Sequence, residues 1–166
     1  SDAERAGLIA SEPELVSDDA LAGLSREVAR LRGEGISPRI LEVLALQGRL
    51  ARAVGNTAVL ARSLLDAGLI HQITGSPEAA APAFAEARDA FAEIGDAAEI
   101  AACDTNLGNV AYLLGDYPAA FKYYEKALGE YEALKDEPRI ASLRHSLGNV
   151  FFVQGAFGFG RERNVS

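Results

Sequence analysis

The sequence predicts an all-α fold of about seven helices arranged in antiparallel pairs. Three observations predict it: an internal repeat, a glycine column with the same period, and apolar residues at helical spacing between those glycines. The phrase Leu-Gly-Asn-Val begins at Leu107 and returns 40 residues later, at Leu147. Glycine recurs with that period at Gly35, Gly75, Gly115 and Gly155. A fixed period of this length is the signature of stacked helical repeats.

Each period holds two helices, because apolar residues fall three or four positions apart on both sides of its central glycine. Glycine tolerates the left-handed conformation that ends a helix, and Asn56, Asp96 and Asp136 stand where they can cap the next one. Pro118 and Pro138 stand in predicted first turns, where an amide would have no partner. In order, the predicted helices span roughly 18–34, 38–54, 58–74, 78–94, 98–114, 118–134 and 138–154.

The residues of these helices resemble the tetratricopeptide repeat (TPR) family. Leu107-Gly108 followed by Ala120-x3-Tyr124 and Ala127 is similar to its Leu-Gly and Ala-x3-aromatic pattern. The second repeat matches at Gly68, Ala80, Phe84 and Ala87, whereas the first and fourth repeats are degenerate. The period resembles the long subgroup of about 40 residues rather than the usual 34.

This resemblance implies a right-handed α-α superhelix with a concave groove lined by the first helix of each pair. Residues 1–16 form a separate N-terminal segment, and a TPR-like domain covers 17–166, with repeats near 18–56, 57–96 and 97–136 and a partial repeat at 137–166. The groove residues expected to contact a partner are Arg62, Leu65, Leu69, Gln72, Thr105, Asn109, Tyr112, His145, Asn149 and Phe152. In peptide-binding relatives, an asparagine at the slots of Asn109 and Asn149 clamps the peptide main chain.

Other interpretations of these residues remain open. Asn109 and Asn149 can instead bond neighbouring helices, and the apolar groove residues can pack inside the superhelix. The acidic and apolar segment 1–16 can itself dock in the groove. In both repeat interpretations, Gly108 and Gly148 let the two helices of a pair approach closely, while Phe84 or Tyr124 fills the space between one pair and the next.

Composition excludes several classes of function. A net charge of −8 over 166 residues disfavours binding to a phosphate backbone. Cys103 is the sole cysteine, and the only two histidines, His71 and His145, are far apart in the sequence, so we expect no disulfide, metal site, cofactor or catalytic residue. No apolar stretch is long enough to span a membrane, and no signal peptide is evident, which favours a cytoplasmic protein. The richness in alanine, glycine and arginine suggests a bacterial source.

The leading hypothesis for function is a non-catalytic interaction module, not an enzyme, that binds a peptide or partner protein in the groove. One alternative is an effector-sensing portion of a larger transcriptional or signalling protein. A second is a self-assembling scaffold, since Phe151, Phe152, Val153, Phe157 and Phe159 form an apolar C-terminal end that could support a homo-oligomer.

Overall fold

Helices joined by short turns make up this protein. The computed structural model describes residues 17–35 and 38–162, with the side chains of all of these except residues 38 and 156–162. Within those ranges it contains seven α-helices and no strand. They are α1 Asp18–Glu34, α2 Pro38–Val54, α3 Thr57–Ile73, α4 Pro77–Glu93, α5 Ala97–Leu113, α6 Tyr117–Leu134 and α7 Glu137–Glu162. The first six predicted helices agree with these bounds to within one residue at either end.

The turns between helices share one backbone feature, a residue with positive φ. These residues are Gly35, Gly55, Gly75, Gly95 and Gly115, with φ between 72° and 107°. The same conformation therefore recurs every 20 residues, which is half the period seen in the sequence. Lys135 is the next member of the series and has φ 58° and ψ 36°. Since a side chain is strained in this region, lysine stands there at an energetic cost that glycine avoids.

Polar side chains begin most of the helices. Asn56 and Asp96 accept hydrogen bonds from the backbone amides of Val59, at 3.1 Å, and Glu99, at 3.2 Å. Asp136 accepts in the same way from the Arg139 amide, at 3.2 Å. The three predicted caps are thereby confirmed. Each satisfies an amide that has no partner inside its helix.

The last helix is longer than predicted. α7 continues through Gly155 to Glu162, so the expectation that it ends at residue 154 is wrong. A glycine inside a helix costs only about 1 kcal/mol relative to alanine. It ends a helix where the chain must turn back to pack a following helix, and no described helix follows α7. The side chains of Phe157 and Phe159 lie outside the described residues, as does the segment 1–16.

The chain divides into two compact units, the first ending at Gly95 and the second beginning at Asp96. This division falls at the predicted boundary between the second and third repeats. The first unit contains α1 to α4. Its buried apolar residues form two clusters, Val28, Leu31, Ile40, Leu44 and Ile70 in one and Leu21, Leu50 and Ala51 in the other.

A polar chain links the first three helices of this unit. The Gln47 side chain on α2 donates from Nε2 to the Ser25 hydroxyl on α1, at 2.7 Å. Its Oε1 accepts from the Ser63 hydroxyl on α3, at 3.0 Å. Gln47 and Ser63 are both buried. Because a buried amide is costly unless it is hydrogen-bonded, these contacts let Gln47 stand in the core.

The second unit contains α5, α6 and α7 around one apolar core. The core residues are Ala101, Ala111, Ala120, Tyr124, Ala127, Tyr131, Ile140, Leu143 and Val150. Their alanines allow the helices to approach closely, and their tyrosines fill the larger spaces. The Tyr112 and Tyr117 rings meet edge to face beside this core, with centroids 5.4 Å apart.

Glycine and an aromatic ring form the contact within each complete pair. A Cβ built on Gly68 would lie 2.6 Å from the Phe84 ring, and one built on Gly108 would lie 2.5 Å from the Tyr124 ring. Both distances are far shorter than a van der Waals contact, so only glycine fits. The expectation that the ring fills the space between consecutive pairs is thus corrected, because the ring lies against the glycine of its own pair. A Cβ on Gly148 would meet nothing within 4 Å.

Candidate interaction site

The predicted groove residues of the first unit lie on α3 but differ in exposure. Leu65 is only 4% exposed and belongs to the core. Arg62 is exposed, with its guanidinium carbon 5.7 Å from the centroid of the Phe91 ring on α4. Leu69 and Gln72 are half-buried. Leu65 therefore offers no contact surface to a partner, whereas the other three reach solvent.

A cleft of about 350 Å³ lies next to Leu69. Its lining combines apolar side chains with a buried ion pair between Arg32 on α1 and Asp66 on α3. The lining residues are Arg32, Gly35, Ile40, Asp66, Leu69, Ile70 and Ile73. The polar groups at this cleft are thus engaged with each other.

In the second unit, the Asn109 side chain bonds a neighbouring helix. Its Oδ1 accepts a hydrogen bond of 2.8 Å from the Tyr124 hydroxyl on α6. Burial raises the pKa of Tyr124 to about 12, and the nearby Tyr112 adds a smaller effect in the same direction. The hydroxyl is therefore protonated and donates its hydrogen to Asn109 over the physiological range. Of the two interpretations of Asn109, this contact favours the structural one.

A sequence signal for this pairing exists but was not used. In the second repeat, the slots of Asn109 and Tyr124 hold Leu69 and Phe84, each 40 residues earlier. The amide thus accompanies the ring that carries a hydroxyl, and leucine accompanies the ring that lacks one.

A second cleft, of about 200 Å³, lies between α5 and α7, and we call it the α5–α7 cleft. Its lining residues are Ala102, Thr105, Asn106, Tyr131, Arg139, Ser142 and Leu143. Thr105 is the one committed groove residue among them, and its hydroxyl donates to the Ala101 carbonyl at 2.8 Å. The Asn106 side chain, half-buried in the lining, makes no hydrogen bond to any other described residue. Asn106 was missed by the sequence analysis because it precedes the repeated phrase by one slot.

One edge of the α5–α7 cleft is aromatic and basic. The Arg139 guanidinium carbon lies 5.4 Å from the centroid of the Tyr131 ring, within the range of a cation–π interaction. Arg139 also forms an ion pair with Asp136, and this contact lowers the pKa of the Asp136 carboxyl. Burial raises the pKa of Tyr131, against an opposing effect of Arg139. The edge therefore carries a fixed positive charge beside a neutral phenol.

The predicted groove residues of α7 are all exposed. His145 and Asn149 reach solvent, and Phe152 is 78% exposed. Asn149 bonds no described residue, unlike Asn109 in the equivalent slot. Tyr112 on α5 is half-buried against the core of the second unit. The predicted set thus includes core, half-buried and fully exposed positions.

Buried carboxylates were also missed. Asp104 on α5 is 0% exposed, and its Oδ2 lies 2.8 Å from the Lys126 ammonium on α6. The sequence gives little sign of this burial beyond the apolar neighbours of Asp104. Because a buried charge is tolerated only with a partner, Lys126 has a structural role in joining α5 to α6.

The remaining reactive side chains form no visible constellation. Cys103 is buried, as expected for a small apolar residue, and His71 is half-buried. Among the described residues, no three side chains of the histidine, cysteine, aspartate or glutamate type are grouped so that they could hold a metal ion. Nor does any described helix have both the length and the apolar character needed to cross a membrane.

Comparison with known proteins adds a fold but no family. No family model matches the chain, and no curated protein matches it. Among solved structures, it is similar to a signal transduction ATPase with numerous domains (STAND) protein with a tetratricopeptide repeat sensor, from Pyrococcus horikoshii. The TM-score is 0.71 at 17% sequence identity, over 80% of this chain.

The fold is a TPR-like helical repeat. This confirms the predicted fold class, an all-α solenoid of helix pairs. The chain spans only about a fifth of the archaeal protein, 21% of its length. In TPR-like terms, α3 with α4 and α5 with α6 are complete pairs, and α7 is the first helix of a pair whose second helix is not among the described residues.

Proposed function

We propose that this chain is a non-catalytic interaction module that binds an extended peptide segment of a partner protein in the α5–α7 cleft. The observation that carries the proposal is the Asn106 amide, which lines the cleft without a partner among the described residues. An amide both donates and accepts, as does the main chain of an extended peptide. Asn106 is therefore better suited to the clamp role than Asn109, whose oxygen already accepts from Tyr124.

The rest of the cleft lining fits the same ligand. Ala102 and Leu143 supply apolar contact, the Ser142 hydroxyl adds a polar group, and Arg139 stands at the edge for a carboxylate. This mixture of a few polar groups with apolar walls is typical of ligand clefts. A net charge of −8 supports a protein partner over a nucleic acid. We extend the proposal to a cytoplasmic TPR-like protein of the long-repeat subgroup.

The test starts from peptides selected by phage display on the wild-type chain. Their affinity for wild type, Asn106→Ala and the control Gln154→Ala is then measured by fluorescence anisotropy, with circular dichroism to verify folding. We expect Asn106→Ala to weaken binding by about tenfold or more, as for a central interface residue. Gln154 is an exposed amide outside the cleft, so its removal should leave affinity unchanged. Equal affinity of Asn106→Ala and wild type would remove the cleft from the proposal.

A second candidate function is an effector-sensing portion of a larger regulatory protein. It is favoured by the similarity to a STAND protein with a TPR sensor, of which this chain spans about a fifth. The sequence of the complete gene provides the test. A nucleotide-binding or DNA-binding domain in the same reading frame would support this candidate, and a reading frame that encodes these helices alone would contradict it.

A further inference from the structure

An unfilled copy of an interface already present in the molecule lies on α7. We infer that the exposed side of α7 docks a helix from a partner protein, with a tyrosine of that helix over Gly148. This surface is separate from the α5–α7 cleft and goes beyond the proposed function. We call it the α7 face, and it consists of Ala141, Arg144, Gly148, Asn149, Phe151 and Phe152.

The α5–α6 contact shows how the interface works when it is filled. The Tyr124 ring of α6 covers Gly108 so closely that a Cβ there would lie 2.5 Å from it. The Tyr124 hydroxyl donates to Asn109 at 2.8 Å. On either side of the ring, Ala120 and Ala127 are 0% exposed, which brings the two helices together. Glycine, asparagine and a tyrosine between two alanines are thus the parts of the contact.

α7 carries the receiving half of this contact. Leu147-Gly148-Asn149-Val150 repeats Leu107-Gly108-Asn109-Val110. Gly148 has open space where Gly108 has a ring, and Asn149 bonds no described residue where Asn109 accepts from tyrosine. The glycine and the amide are therefore present, and no described residue supplies the ring.

Burial separates the two sides of α7. Slots that face the existing core are buried in both helices, as Val150 and its counterpart Val110 are. Slots that face α6 on α5 are exposed on α7: Ala141 is open where Ala101 is buried. Phe151 is 60% exposed in the slot of the buried Ala111. The α7 face is thus the continuation of an established interface, and it is apolar.

The chemistry of the α7 face specifies the partner. A helix with Ala-x3-Tyr-x2-Ala would place its ring over Gly148 and its hydroxyl near Asn149. Arg144 occupies the slot of Asp104, whose partner on α6 is Lys126. Since the sign of the charge is reversed, the partner helix should carry an acid two residues after its tyrosine. Arg144 is 64% exposed and bonds Glu132 on the surface, so it remains accessible.

A synthetic helix provides the probe. A fluorescent peptide with the sequence of residues 116–135 and the change Lys126→Glu supplies the alanines, the tyrosine and the acid. The change also disfavours invasion of the α5 slot, where the glutamate would meet Asp104. The full chain is titrated as wild type, as Gly148→Leu and as the control Gly129→Leu. Gly129 is an exposed α6 glycine whose added Cβ also meets nothing within 4 Å.

Saturable binding to wild type and to Gly129→Leu is expected, with affinity at least about tenfold weaker for Gly148→Leu and for a probe that carries Tyr124→Ala. Equal binding to Gly148→Leu would overturn the inference, as would equal binding of the Tyr124→Ala probe. Light scattering of the chain alone tests the other occupant, a second copy. A wild-type dimer that Gly148→Leu converts to a monomer would show that the face is covered by self-association, which also overturns it.

Discussion

The glycine at the centre of each helix pair is decisive because of what faces it, not because of its own flexibility. Gly108 and Gly148 occupy the same slot of the repeat, yet one is covered by the Tyr124 ring and the other is open. The same substitution should therefore have opposite effects at the two positions.

We predict that Gly108→Ala lowers the free energy of unfolding by about 1–3 kcal/mol, the usual cost of overpacking. Gly148→Ala, the matched control, should raise it by up to about 1 kcal/mol because alanine favours the helix. Urea denaturation followed by circular dichroism measures both. Equal changes in the two variants would contradict the described contact.

Tyr124 makes a prediction for alkaline pH. Its pKa is about 12 in the folded chain, raised by burial above the usual value of about 10. The folded state thus holds this proton more tightly than the unfolded state. The resulting stabilisation is complete below about pH 10 and is lost as the pH rises toward 12.

The midpoint of urea unfolding, measured for wild type and Tyr124→Phe across that range, checks the sign. Wild type should lose more stability than the variant, although Tyr131, whose pKa is also raised, contributes to both. Parallel losses in the two proteins would show that Tyr124 ionises as easily in the folded chain as in the unfolded one.

At the scale of the helix, the caps differ in a way that sequence similarity hides. Asp96 and Ser76 both precede a helix, but only Asp96 accepts an amide hydrogen bond through its side chain. We predict that Asp96→Ala destabilises the chain by about 1 kcal/mol, whereas Ser76→Ala changes stability by only a few tenths. Thermal unfolding of the two variants measures the difference. A loss as large for Ser76→Ala would mean that its side chain caps α4 after all.

Lys135 offers the converse experiment. It has the left-handed conformation that glycine adopts in the other five turns. We predict that Lys135→Gly raises the free energy of unfolding by about 1 kcal/mol, while Lys135→Ala, which keeps a Cβ, leaves it nearly unchanged. Chemical denaturation distinguishes the two. A destabilised Lys135→Gly variant would show that the lysine side chain compensates for the strain of its backbone.

The bounds of six helices were predictable because turn glycines, caps and apolar spacing agree within each repeat. The end of α7 was not, because Gly155 has the same sequence neighbours as the turn glycines but no following described helix to impose a turn. A glycine permits a turn, and packing decides whether the chain takes it.

At the scale of the whole molecule, the TPR-like fold followed from the repeat, whereas the candidate site did not. The repeated Asn109 and Asn149 drew attention to one slot, yet the Tyr124 hydroxyl that binds Asn109 is 15 residues away on another helix. The unpaired Asn106 became visible only once α5 and α7 were seen to line one cleft. A period locates helices, but the partner of a polar side chain depends on contacts that the period does not encode.

The central claim, that the α5–α7 cleft binds an extended peptide through Asn106, is tested most directly by NMR. The side-chain amide signals of Asn106 and Asn109 are followed while a selected peptide is added to the wild-type chain. The account predicts a large shift for Asn106, with shifts for the Leu143 methyls, and little change for Asn109, whose oxygen is held by Tyr124. Saturating binding that leaves the Asn106 and Leu143 signals unmoved would contradict it.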